Sequence, residues 1–466
     1  MLKINNTLTK TKQEFKSLKP RVVSFYQCGP TVYWTQHIGN LRAMVLADLI
    51  VRSLEYLGYK VRLVRNYTDV GHLTSDQDEG EDKMAQAAKR EKSDPKQIAE
   101  KYIRAFESDV DDLNCLAPWK KPLATKHIKE MAKIVQLLVD KGYAYATDLA
   151  IYFDVSKFEN YTQLSGQDLS KNISEAGKGD VADKDKKHPA DFAVWFFKAG
   201  AHKNALQTWP VKFKNINQPT KQGFPGWHLE CSAMSRKYLG DTMDIHMGGV
   251  EHIPVHHTNE IAQSEAATGK KFVNYWLHNE HLTVDGAKMS KSEGTAYSLE
   301  EIKKKGFEPL ALRYFFMQAH YRSRQNFTWE ALAGAQTALN NIRNEVLNFS
   351  AAKGDVNVDF KNRFIAALED DFNLPQALAI SWEVFRSDLS DSEKKATILD
   401  FDKVFGLDLA KLKPIKIPLA VEKLARARLA ARAEKNWAKS DKLRDEILKK
   451  GFEIEDTKEG YKIRRK

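Results

Sequence analysis

The sequence predicts an α/β protein: an open parallel sheet carrying an insertion, then a helical region and a small basic module. Two short β-rich runs, residues 21–26 and 60–67, flank a long apolar stretch without Gly or Pro. From residue 298 onward the pattern is mostly helical. The charge is uneven: the chain carries +11 overall, and residues 411–466, with 18 Lys/Arg against 9 Asp/Glu, hold +9 of it.

Each element follows from local pattern. Arg21-Val22-Val23-Ser24-Phe25-Tyr26 reads as a buried strand that ends at the turn signal Cys28-Gly29-Pro30. Residues 41–57 are apolar nearly all round, which predicts a buried helix, and Gly58 stands where a glycine closes a helix. Residues 60–67 then read as a second strand. Strand, turn, helix and strand make one right-handed βαβ unit of an open sheet. Residues 76–140 are rich in helix formers, and 166–187 read as a polar surface insertion. α/β signals resume near Trp227 and run to Val284. Residues 425–450 hold two helical runs, broken near Asn436 and ended by Gly451. Residues 452–454 and 461–463 alternate around 457–460 as a small hairpin.

Bulk properties narrow the function. A chain of 466 residues is too long for one ordinary core, so two to four domains are expected. Charged residues at 29% and hydrophobic residues at 42% are globular composition. No apolar run approaches the ~20 residues that span a bilayer, and Met1-Leu2-Lys3-Ile4-Asn5-Asn6 has no apolar leader. A soluble, cytoplasmic protein without a membrane partner is expected. The three cysteines, Cys28, Cys115 and Cys231, are too few for a disulfide framework and stay available for metal or packing. A basic tail suits a polyanion, although a merely basic surface reads the same way.

Three constellations could carry chemistry. His37-Ile38-Gly39-Asn40 opens the apolar helix, where free N–H groups attract anions; ordinary helix capping is the bland alternative. Lys288-Met289-Ser290-Lys291-Ser292 follows a possible strand and the turn Asp285-Gly286. Its two lysines could clamp a triphosphate, or it is a solvated basic loop. His256 and Glu260 are four apart and share a helix face, and with Cys28 and Cys231 they form a donor set that suits zinc. No Cys-x-x-Cys is present, and His257 rivals His256 on chemistry alone.

Together these segments resemble cysteinyl-tRNA synthetases of class I. The likeness lies in Cys28-Gly29-Pro30-Thr31-Val32-Tyr33, residues 37–40, Arg65-Asn66-Tyr67-Thr68-Asp69, Gly226-Trp227-His228-Leu229-Glu230-Cys231-Ser232, residues 256–263 and 288–292, in the family's order. The resemblance implies a Rossmann-type catalytic domain that activates L-cysteine with ATP and Mg²⁺ and loads it onto tRNA(Cys) through acceptor end and anticodon. It implies one zinc ion on Cys28, Cys231, His256 and Glu260, and a cysteine pocket of Gly29, Thr68, Trp227 and His256. ATP would be handled by His37, Asn40, Gly248, Gly249, Lys288, Met289, Ser290 and Lys291. Of these His37, Asn40, Lys288 and Lys291 would be catalytic, with Lys291 the main transition-state lysine. The family's first signature usually ends in histidine; here it ends in Asn40, which donates a hydrogen bond but carries no charge.

The implied organisation has the halves of the catalytic domain at 1–120 and 216–297, split by a connective insertion at 121–215. A stem-contact region at 298–340, a helical bundle at 341–410 and an anticodon-binding module at 411–466 follow. A monomer is expected, with Cys115 structural. Two rivals remain at this point: a cysteine ligase of the mycothiol type, which lacks the long basic tail, and an RNA-binding paralogue without catalysis. Zinc has a physical reason here. An apolar pocket separates near-isosteres only about 10–200-fold, whereas zinc prefers thiolate over hydroxyl and so tells cysteine from serine.

Overall fold

The computed structural model describes residues 1–71, 83–168, 183–289, 294–349, 352–413, 417–457 and 460–465. Val22–Gln27 (β1), Ile38–Tyr56 (α1) and Lys60–Arg65 (β2) form the expected βαβ unit. α1 starts three residues before the predicted 41. His37 has extended backbone and its imidazole accepts the Asn40 amide, so Ile38, Gly39 and Asn40 make the first turn rather than a loop. Gly58 follows the cap residue Leu57 with φ +87°.

Trp227–Leu239 (α2), Met243–Gly249 (β3), Thr258–Thr268 (α3) and Val273–Asn279 (β4) complete the central sheet. Among the described residues it has four strands in the order β4-β3-β1-β2, all parallel. β1 leads through α1 to β2 on one side, while β3 lies against its other side. The winding reverses between β1 and β3, and a crevice opens past the carboxyl ends of those strands.

Between β2 and α2 the chain builds a second, antiparallel sheet. Its strands are Ala144–Ala146, Ala150–Phe153, Phe192–Phe197, Trp209–Pro210 and Gln222–Pro225. Phe192–Phe197 is buried at every position, so it shows no alternation in sequence. This sheet runs directly into α2 at Gly226, where an added Cβ would stand 2.0 Å from the Ala193 carbonyl oxygen. Glycine lets the helix start hard against the inserted sheet.

After β4, Leu282–Val284 and Ala287–Lys288 form a tight hairpin. Its turn residues Asp285 (φ +50°) and Gly286 (φ +81°) are both left-handed, as an Asp-Gly two-residue turn requires. Leu282–Val284 also pairs in parallel with Gln325–Phe327. The helices Trp329–Asn348, Val358–Glu369, Leu374–Arg386 and Asp391–Phe405 add their apolar faces to the core under α1. Phe364 stacks on Phe401 with ring centroids 3.9 Å apart.

The C-terminal segment follows its sequence reading except that the first helix starts at Leu419, before the expected 425. Helices Leu419–Ala433 and Trp437–Lys449 flank Asn436, whose side chain caps the second. Strands Phe452–Thr457 and Gly460–Arg465 pair antiparallel with Ile454 opposite Ile463. Val421, Ala425, Ile447, Phe452 and Ile454 form a small core separate from the others. No helix among the described residues is long and apolar enough to cross a membrane.

Candidate active site and metal centre

The crevice between β1 and β3 holds a cavity of about 760 Å³. β1 delivers Cys28 and Gly29, α1 delivers His37, Gly39 and Asn40, and α2 delivers Trp227, His228 and Cys231. β3 delivers Gly248 and Gly249, the turn before α3 delivers His256, and the hairpin after β4 delivers Lys288 and Met289. Thr68 lines it too. The structure therefore brings these sequence-predicted residues together, with Glu260 not in the cavity lining but against His256, which is. Ser290 and Lys291 lie outside the described residues.

Glycines shape this floor. A Cβ on Gly29 would stand 1.7 Å from the Asn66 carbonyl oxygen, and one on Gly39 would stand 2.1 Å from Met289 Cε. The Gly29 amide donates to Asn66 Oδ1 (2.8 Å), Asn66 donates to Thr68 Oγ1 (3.2 Å), and Thr68 donates to Glu230 Oε2 (2.9 Å). Thr68 is thus held by a chain of polar groups that also fixes the start of the Cys28 turn.

Cys28, Cys231, His256 and Glu260 are all buried, and one ligand atom from each lies within 4.8 Å of the others. The two Sγ atoms are 4.0 Å apart, and His256 Nε2 is 3.0 Å from Glu260 Oε1. That Oε1 is buried and faces only the His256 and His257 rings, at 3.0 and 3.9 Å, while Oε2 accepts from His246 Nε2 at 3.0 Å. A buried carboxylate oxygen faced only by imidazole nitrogens suits a cation shared with those rings. Two thiols, an imidazole and a carboxylate within this span fit tetrahedral zinc.

Electrostatics agree. Burial, joined by the hydrogen bond and charge of Cys231, pushes the Cys28 thiol well up. The hydrogen bond from Cys28 holds Cys231 down at about 7 against burial. Burial opposes charge on His256, but Glu260 and Cys231 outweigh it and raise the imidazole to about 10. Burial likewise opposes charge on Glu260, yet His246 and His256 hold it at about 2. A lowered thiol, a lowered carboxyl and a raised imidazole are the shifts that mutually close metal-type donors impose on one another.

His257 is also close. Its Nε2 lies 3.3 Å from Cys28 Sγ, and Cys28, His246, His257 and Glu260 form a second group of donors within the same span. His256 reaches the cavity wall, whereas His246 and His257 do not. His257 Nδ1 bonds His278 Nε2 (2.7 Å), and His278 Nδ1 bonds Thr7 Oγ1 (2.8 Å), so this ring is fixed from behind. His228 Nδ1 lies 2.9 Å from His256 Nδ1.

Sequence reasoning passed over His228, His246 and His278. A signal existed: seven of the thirteen histidines fall between residues 228 and 281. Trp227 stands over His256 with ring centroids 4.4 Å apart, walling one side of the ligand position. His37 caps α1, so the capping role is real, and Asn40 donates its side-chain amide to Gln36 Oε1 (2.5 Å). Cys115 is partly covered, and burial pushes its thiol up to about 12, as suits a structural residue.

Residues 14–337 match the model of the tRNA synthetases class I (C) catalytic domain. The chain is 44% identical over 465 residues to cysteine--tRNA ligase 1 of Burkholderia lata, covering 99% of this chain and 96% of that one. It is 41% identical to cysteine--tRNA ligase of Chlorobaculum tepidum, covering 98% of each. Among solved structures, Mycobacterium tuberculosis methionyl-tRNA synthetase in complex with methionyl-adenylate superposes with a TM-score of 0.55. It is 13% identical and covers 83% of this chain and 90% of that one. That likeness speaks to the fold.

Proposed function

The chain belongs to the cysteine–tRNA ligase family of class I aminoacyl-tRNA synthetases, and from that premise we propose how its cleft works. It activates L-cysteine with ATP and transfers the cysteinyl group to tRNA(Cys). The observation that carries the detailed reading is the convergence of Cys28, Cys231, His256 and Glu260 at the β1–β3 crevice, with Glu260 Oε1 turned to the His256 ring. Bound zinc there would offer a thiolate-selective ligand position to the substrate side chain.

The chain's own residues then divide the work. Trp227, Gly29 and Thr68 enclose the amino acid. The amino end of α1 brings His37, Gly39 and Asn40 to the phosphates, and Gly248 and Gly249 leave room at the end of β3. Lys288, with Lys291 beyond it in sequence, supplies positive charge as the cysteine carboxylate attacks the α-phosphorus and pyrophosphate leaves. Mg²⁺ accompanies ATP. The terminal ribose hydroxyl of tRNA then attacks the carbonyl and AMP departs. The divisions at 121–215, 298–340, 341–410 and 411–466 would serve as insertion, stem contact, bundle and anticodon module, on a monomeric chain.

The likeness to cysteine–tRNA ligases extends through the basic tail, which disfavours an amino-sugar ligase and an inactive paralogue. Cysteine-dependent pyrophosphate exchange and tRNA charging test the activity. Cobalt-substituted protein should gain a sulfur-to-metal absorption band with cysteine and none with serine. An unchanged spectrum would remove the metal from substrate recognition.

A further inference from the structure

Arg42 stands in α1 just past Asn40 and is completely buried. A guanidinium taken out of water is costly unless its donors are met. Its donors are met from outside the helix: Nη1 donates to the Glu280 carbonyl, Nη2 to the Ser323 carbonyl at 3.0 Å, and Nε to Gln325 Oε1 at 3.1 Å. Gln325 is itself fixed by donating to the Phe315 carbonyl at 2.6 Å. None of these acceptors is a carboxylate, and the Glu280 carboxylate turns to Arg324 instead (3.3 Å). Arg42 therefore makes a directional fork rather than a simple ion pair.

The acceptors frame one piece of the cleft. Glu280 directly follows β4 and leads into Leu282–Val284. That strand pairs on one side with Ala287–Lys288 and on the other with Gln325–Phe327. One guanidinium thus holds both the start of the Lys288 hairpin and the strand behind it against α1. Next to it in sequence, the first turn of α1 meets the same hairpin again, with Gly39 under Met289. The helix end that faces phosphate and the hairpin that bears Lys288 are tied at both points.

We propose that Arg42 is a positioning residue for cysteine activation: it fixes the Lys288 hairpin against the amino end of α1 so that both act on one triphosphate. This rests on the cleft being the ATP site. Lysine at this position keeps the charge but cannot reach separate acceptors with one planar group. Misplacing a charged group by a fraction of its reach costs rate rather than ground-state binding.

The test uses full-length zinc-loaded protein. Arg42→Lys should lower the exchange rate per active site by roughly tenfold to a hundredfold, the worth of hydrogen bonds to a charged group. KM for cysteine should stay within about twofold. Backbone amides of residues 280–289 should exchange hydrogen faster, with β1 and β3 unchanged. Gln325→Met, which removes one acceptor, should move both readouts the same way by less, and it decides the matter if Arg42→Lys fails to fold. In a Lys288→Ala background Arg42→Lys should cost little more, because its effect runs through that hairpin. Fully additive losses, or unchanged exchange at 280–289, would overturn the proposal. Wild-type protein without cysteine-dependent exchange would overturn the functional reading instead, and the hydrogen-exchange comparison would still decide what Arg42 holds.

Discussion

At the crevice Cys28 meets Cys231 across 203 positions of sequence, whereas between residues 419 and 465 Val421, Ala425, Ile447, Phe452 and Ile454 pack against one another within the same short segment. The metal-type donors at the crevice are buried and held by one another. The tail keeps a small core and turns Trp437, 55% exposed, and many cations outward. A site that must tell sulfur from oxygen needs rigid, buried donors brought from distant segments. A surface that reads a polyanion needs charge and an accessible ring, which a short local fold can present. The two should therefore fail differently.

The sharpest difference is expected at the metal. Cys231→Ala should drop bound zinc from one per chain to near none, and exchange should fall on the order of a hundredfold or more, given that even outer-shell partners cost 10–100-fold. Metal analysis with exchange kinetics checks this. Retained zinc with lost activity would shift the ligand set toward His246 and His257, which share Cys28 and Glu260.

Removing the other region should do the reverse. A chain ending before residue 417 keeps the buried Leu407 and Leu409 in the main core and loses only the module with its own core. Exchange should remain within about twofold, while kcat/KM for charging should fall roughly a hundredfold as phosphate contacts vanish. Loss of exchange as well would show that the module supports the catalytic core.

This contrast also explains what could be read in the sequence. The tail was legible apart from its first helix, which starts at Leu419 and not 425, because the breaks at Asn436 and Gly451 and the alternation after them are local signals. The βαβ unit was legible for the same reason, apart from the start of α1, where the apolar run begins at Leu41 but the His37 cap starts the helix at Ile38. The inserted sheet was not legible, since Phe192–Phe197 is buried on both faces and alternates nowhere. The donor set was named by family likeness. Spacing cannot choose between His256 and His257, because only the packed rings show which one borders the cavity. Arg42 was invisible as more than a helix residue, since its acceptors lie more than two hundred positions away.

Ion pairs extend the comparison to stability. Asp48 in α1 accepts from Arg313 Nη2 at 2.6 Å and Arg52 Nε at 2.9 Å, and both Asp48 and Arg313 are buried. Burial pushes its carboxyl up, but the two arginines outweigh this and hold it below the usual range. Its folded pKa is depressed, so its contribution is complete above about pH 4, the unfolded carboxylate value, and fades as pH falls through the folded one. Asp48→Asn should destabilise by about 3 kcal/mol at neutral pH, as for a broken buried pair. Denaturant melts of mutant and wild type should converge in acid. A constant difference across pH would mean that shape, not charge, is lost.

In the tail, Arg428 grips Asp456 with two hydrogen bonds of 2.6 and 3.0 Å, and this holds the carboxyl below its ordinary range. Arg428 is 3% exposed at its side chain, but Asp456 is 36% exposed, so water and salt screen the pair. Arg428→Met keeps most of the packing and removes the fork. The expected loss is about 1 kcal/mol or less, and it should shrink further in high salt. Melting of the full chain at low and high salt, followed by a probe on Trp437, reads this. A loss that is large and insensitive to salt would make the module a buried-pair structure like the core around Asp48, and the division between a rigid crevice and a screened, locally folded tail would not hold.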